Sequence, residues 1–169
     1  INKFLLIIIL FLTNFVFAQS DCITAVPICG NSNINYTPAN NGTVVEDLGG
    51  CLLSDEHFSV WYTFTIGTSG TLTFTITPNT FTDDYDFAVY GPNKPCSNFG
   101  APIRCNFSGA DGPTGLGMGA TLPNGGGGGA PAQWSSQMNV IAGETYYLVV
   151  DNFLSSINGF TLTWGGTAL

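Results

Sequence analysis

Across residues 58–77, apolar side chains fall at every second position on either side of a short polar break. Val60, Tyr62, Phe64 and Ile66, then Leu72, Phe74 and Ile76, alternate with serine, threonine and Trp61. A helix cannot use this spacing, because its one-face neighbours recur every three to four residues. A strand can, because successive side chains point to opposite faces of a sheet. Residues 58–66 and 71–77 are therefore predicted as strands, with Gly67-Thr68-Ser69-Gly70 as the turn that joins them into an antiparallel hairpin. The threonine-bearing face can remain in water, whereas the apolar face requires a second layer.

Further short apolar or alternating runs occur at 87–90, 103–107, 134–141, 145–151 and 159–164, separated by Gly, Pro and Asn. Seven or eight strands at such intervals predict a sandwich of two packed sheets. A chain of 169 residues suits one domain, and its 22 glycines indicate many turns. Residues 19–57 read as an irregular lead-in with short edge strands within 23–28 and 43–45, and residues 58–169 as the sandwich core. Residues 108–131 read as a long loop. Its Gly115-Leu116-Gly117-Met118-Gly119 stretch is not a nucleotide cradle, because no helix follows to face a phosphate.

Only 8% of residues are charged, and the formal net charge is −8. Three basic residues cannot displace the counterions of a nucleic acid, nor hold the chain to an anionic membrane. Asn2-Lys3, the apolar run 4–17 and a small residue at Ala18 match a helical signal peptide over residues 1–18. The run is too short to span a bilayer, so no membrane insertion is expected after cleavage, and the protein is expected outside the cell or on its surface. Loss of Lys3 leaves two basic residues against eleven acidic ones. The sequence opens on Ile1 and stops soon after Gly165-Gly166, so it is read as part of a longer protein.

Export favours disulfides among Cys22, Cys29, Cys51, Cys96 and Cys105. The short loop between Cys96 and Cys105 makes that pair easy to close, and Cys29 with Cys51 is favoured as a second, although an odd count permits several pairings. Asp83, Asp84 and Asp86 crowd one turn, and Asp151-Asn152 ends a later strand. Together they offer hard oxygen ligands of the kind calcium takes, unless they serve as ordinary turn residues. Catalytic constellations are sparse: His57 is the only histidine, and no pair among Glu46, Glu56, Glu144 and the aspartates stands out for glycoside hydrolysis. Trp61, on the pleat opposite Val60 and Tyr62, and Tyr85 and Trp134, beside loops, are candidates for a platform that stacks on sugar rings; core packing is the commoner use of such rings.

Several stretches together resemble a known family. They are Ser59-Val60-Trp61-Tyr62-Thr63-Phe64, Gly70-Thr71-Leu72-Thr73-Phe74, Asp84-Tyr85-Asp86-Phe87-Ala88-Val89-Tyr90-Gly91, Ile103-Arg104-Cys105, Thr114-Gly115-Leu116, Ala142-Gly143-Glu144-Thr145-Tyr146-Tyr147-Leu148 and Asn158-Gly159-Phe160-Thr161-Leu162. They are similar to the N-terminal β-sandwich module of large secreted surface proteins of gliding Bacteroidetes, and through it to the bacterial pre-peptidase C-terminal domain. The resemblance implies an all-β, jelly-roll-like antiparallel β-sandwich, type IX export, and a non-catalytic accessory or adhesion role in gliding-associated surface proteins. It also implies calcium at an Asp-x-Asp, here Asp84 and Asp86. The expected partner is a surface glycan, a protein or neighbouring domains of the same chain. The alternatives are a carbohydrate-binding accessory domain of a secreted hydrolase and a self-associating structural or fibre subunit.

Overall fold

The computed structural model describes residues 19–52, 56–126 and 132–168; the expected signal segment and most of the polyglycine run lie outside them. The described residues form twelve strands: β1 (Val26–Ile28), β2 (Ile34–Tyr36), β3 (Val60–Thr65), β4 (Gly70–Pro78), β5 (Tyr85–Tyr90), β6 (Arg104–Phe107), β7 (Thr114–Leu116), β8 (Asn124–Gly126), β9 (Trp134–Ser135), β10 (Met138–Val140), β11 (Thr145–Asn152) and β12 (Phe160–Gly166). They make two sheets, one ordered β1-β3-β11-β5-β6-β8 and the other β2-β12-β4-β7-β9 with β10 also on β4. The long central ladders are antiparallel, while the short pairs β1/β3, β6/β8 and β7/β9 are parallel. The fold is thus the all-β sandwich that the alternation predicted. Among the described residues no helix is long and apolar enough to cross a membrane.

The predicted hairpin does not form. β3 lies in the first sheet on β11, and β4 lies in the second on β12, so residues 66–69 arch from one layer to the other. The apolar rows decide this. In a hairpin, both rows would share one face and need a separate cover; in the arch, Val60, Tyr62 and Phe64 meet Leu72, Phe74 and Ile76 across a single core. Aromatic contacts tie the layers together: Phe74 on Phe87 at 5.0 Å, Tyr85 on Phe160 at 5.0 Å, and Phe64 on Trp164 at 5.2 Å between ring centroids. Each such pair adds about 0.5–1.5 kcal/mol beyond area burial.

Two further expectations are corrected at the edges. The long loop 108–131 carries β7 and β8. Gly115 is needed in β7, because a Cβ there would run into the Phe74 carbonyl of the paired strand. Residues 43–45 form no strand, because the backbone N–H groups of Thr43 and Val44 bond the buried Asp21 carboxylate, at 2.8 and 3.0 Å, rather than a neighbouring strand.

A second apolar cluster covers the outer face of the first sheet. Cys22, Leu48 and Leu52 from the lead-in lie over Trp61, Ala88, Tyr90, Cys105 and Val149. The lead-in is therefore a strap across the sheet, and it sets the disulfides. Cys22 joins Cys96 and Cys51 joins Cys105, while Cys29 is free and exposed. The favoured pairs Cys96–Cys105 and Cys29–Cys51 are both overturned: proximity along the chain pointed to Cys96 with Cys105, yet each is taken by the strap that crosses above it. Replacing Cys22 and Cys96 together by serine is expected to cost about 2–4 kcal/mol, read as a lower denaturant midpoint. The native, unreduced protein should take up iodoacetamide at Cys29 alone; modification at Cys96 would contradict the pairing.

Candidate functional site

At one end of the sandwich, loops 56–58, 79–84, 108–112 and 153–158 meet around the start of β5 and the end of β11. Antiparallel register sets Asp86 directly opposite Asp151 and Tyr85 opposite Asn152. Because side chains alternate, Asp86 and Asp151 share the outer face with Ala88 and Val149, whereas Tyr85 shares the core face with Phe87 and Val150. Two carboxylates are thus buried side by side, with Asp86 6% and Asp151 3% exposed.

Their environments differ. Asp151 receives the His57 backbone N–H at 2.6 Å and faces His57 Nδ1 at 3.2 Å, while the imidazole packs on Phe153. Burial still raises its pKa, and these His57 contacts oppose the rise. Asp86 has no such partner for Oδ1, which is buried without a hydrogen bond. Desolvation, followed by the negative charges of Asp84 and Asp151, pushes it up to about 8. Asp84, half-buried, is raised by desolvation and then by Asp111. At neutral pH an isolated Asp86 therefore holds a proton, or else a cation supplies the compensating charge.

The five acidic and amide residues expected to form one ligand set are divided by the structure. Asp84, Asp86 and Asp151 are brought together. Asp83 turns away: Oδ2 accepts Ser156 Oγ at 2.8 Å and Oδ1 accepts Asn158 Nδ2 at 3.3 Å. Asn152 donates from Nδ2 to the Ser156 carbonyl at 2.7 Å and to the Tyr85 hydroxyl at 3.2 Å. These two latch loop 153–158 to loop 79–84. Period-two alternation already separates 83 from 84 and 86, so that division was available from the sequence. As for calcium, the orphaned Asp86 oxygen beside Asp84 suits a hard cation, yet no three His, Cys, Asp or Glu among the described residues gather in a way that could hold a metal ion. Backbone carbonyls and water would have to complete the shell.

The aromatic platform is corrected at two of its three positions. Trp61 is 0% exposed, stacked on Tyr90 at 5.5 Å under the strap, and Tyr85 is 3% exposed against Phe160. Neither can meet a sugar. Trp134 is half-buried and lines a shallow groove of about 320 Å³ with Leu122, Asn124 and Gly126.

Two features are not marked in the sequence: the pairing of Glu46 with Glu56, which there stand only among several unranked carboxylates, and the place of Asp111. Glu56, 1% exposed, accepts Ser59 Oγ at 2.7 Å and Trp61 Nε1 at 2.8 Å on Oε1, and the Glu46 backbone N–H at 2.9 Å on Oε2. Glu46 in turn accepts the Cys22 N–H at 2.8 Å, and burial followed by contact with Glu56 pushes its pKa up to about 8. Glu56 is buried and Glu46 half-buried, and their bonds fasten the strap to β3. Nothing in the local sequence of Asp111 marks its approach to Asp84.

No protein-family profile matches the sequence, and no curated protein does. Among solved structures, the chain is similar to the pre-peptidase C-terminal domain of a collagenase from Bacillus anthracis. The two share 13% identity over 83% of this chain and 94% of that one, with a TM-score of 0.46. A likeness at that level assigns neither a family nor a function.

Proposed function

We propose that this domain is a non-catalytic accessory module of a larger extracellular or cell-surface protein, whose loop-bearing rim engages a partner and takes calcium as a stabilising ion. The observation that carries the reading is how the rim spends its reactive side chains. His57 is committed to Asp151, and among the described residues no hydroxyl or thiol hydrogen-bonds its Nε2. Asp83 is committed to Ser156 and Asn158, and among the described residues Asp84 and Asp86 form no ion pair. Two disulfides support an oxidising, extracellular setting. The sequence resemblance to secreted surface modules supports the accessory role and type IX export.

Calcium would be held by Asp84 and Asp86 and would neutralise the charge that burial penalises. Calcium at 100-fold over its Kd is expected to raise the melting temperature by roughly 5 °C or more relative to chelator. Asp84→Ala combined with Asp86→Ala should erase that response. Identical melting curves in calcium and chelator would end the calcium reading. A second reading, as a carbohydrate-binding accessory domain, is favoured only by the Trp134 groove.

A further inference from the structure

The same rim carries four exposed apolar side chains on the two loops that Asp83 latches together. Phe81 is 66%, Phe153 48%, Leu154 56% and Ile157 69% exposed. Their positions are held from within. Asn79 Nδ2 bonds the Asn158 carbonyl at 2.9 Å, the Phe153 N–H bonds the Asp84 carbonyl at 3.0 Å, and the Phe81 ring lies against the Gly112 backbone. These are fixed apolar projections, and leaving them in water forgoes about 1.5–3 kcal/mol apiece. Beside them stand the carboxylates of Asp84, half-buried, and Asp111, exposed.

Among the described residues no lysine or arginine pairs with these two acids. Among the described residues the only lysine and arginine are Lys94 and Arg104. Lys94 follows Asn93, whose N–H bonds Thr145 at the opposite end of the sheet. Arg104 donates to the carbonyls of Ile103, Ser136 and Gln137, at 2.7–2.9 Å. The rim therefore carries four exposed apolar side chains beside the carboxylates of Asp84 and Asp111, while its basic side chain, His57, faces Asp151.

We infer that this rim docks a protein segment in which Lys or Arg flanks two or more apolar side chains, the apolar groups seating between Phe81 and Ile157 and the cation beside the exposed Asp111, the carboxylate that the calcium reading leaves free. Charge disfavours two other occupants. A second copy would bring the same acidic border against this one, and an anionic lipid surface would be repelled. The inference rests on the docking role proposed for the rim and names the chemistry of its partner.

The test uses a synthetic dodecapeptide with two Leu and one Trp flanked by Lys, its counterpart with Glu in place of Lys, and the oxidised domain, followed by fluorescence anisotropy. The Lys peptide should bind and the Glu peptide should not. Leu154→Ser with Ile157→Ser, which leaves the charge intact, should weaken binding at least tenfold. Asp111→Asn should weaken it about threefold and flatten its salt dependence. Equal binding of both peptides, or no loss in the serine variant, overturns the inference. Concentration-dependent dimerisation that the serine variant abolishes also overturns it, in favour of a second copy. The calcium melting response of the serine variant separates the two ideas: if it persists while peptide binding is absent, the metal reading stands and the docking inference falls.

Discussion

Asp86→Asn is expected to make the domain more stable, by about 2–5 kcal/mol at pH 7.5 in chelator. The sign follows from proton binding. Burial and the neighbouring Asp84 and Asp151 raise the folded-state pKa of Asp86 from 3.8 to about 8. Between those values the native protein holds a proton that the unfolded chain has released. Stability is therefore fullest below pH 4 and is lost as pH rises through 8. Asparagine keeps the shape and removes the titration, so the variant's stability should be flatter with pH, with the largest gain at the alkaline end. Glu46, Asp84 and Asp151, each also raised by burial, add declines of the same sign in both proteins, so the slope should be reduced rather than abolished. Added calcium should reverse the ranking, since only the wild type can exploit it. Denaturation midpoints from pH 4 to 9, with and without calcium, provide the check. A variant less stable than wild type in chelator would show that Asp86 is already compensated.

Trp61→Ala should be the most damaging single substitution, costing about 3–5 kcal/mol through the cavity alone. The indole is 0% exposed, packs on Tyr90 and Phe99, and donates its N–H to the buried Glu56. Its removal also leaves Glu56 short of a donor, so the strap should loosen with the core. Trp134→Ala, by contrast, should leave the melting temperature nearly unchanged, because that ring is half-buried beside a groove. Sedimentation with insoluble polysaccharide distinguishes the readings. Retention lost in Trp134→Ala alone would support the glycan alternative, whereas a well-folded Trp61→Ala protein would contradict the packing described here.

Trp61 also shows where sequence reasoning ran out. The rows Val60, Tyr62, Phe64 and Leu72, Phe74, Ile76 were legible because period two is a local property of the chain, and so was the two-layer fold. The partner of each strand was not legible, because β3 and β4 are adjacent in sequence yet pair with β11 and β12, some eighty residues away. In the sequence Trp61 stays open between a platform and a packed ring, because nothing in the strap announces itself as a cover. Leu48, Leu52 and Cys22 are scattered among Asn, Thr and Gly with no period to read. The disulfides were misassigned for the same reason. At the rim, the cluster of Asp84 and Asp86 was visible, and Asp151 was placed with them, but alternation alone should have set Asp83 and Asn152 apart. The commitment of His57 to Asp151 depends on contact across 94 residues, which no local pattern reports.

The two bridges give the domain an unequal response to force. A pull applied at Gln19 and Ala168 would pass from Cys22 straight to Cys96, so residues 23–95, with β1 to β5, are shielded from extension. Beyond that bridge, only the chain after Cys96 could lengthen. In an oxidising medium the module would stretch to about half its contour and stop, with the acidic, apolar-tipped loop 79–84 inside the part that never bears load.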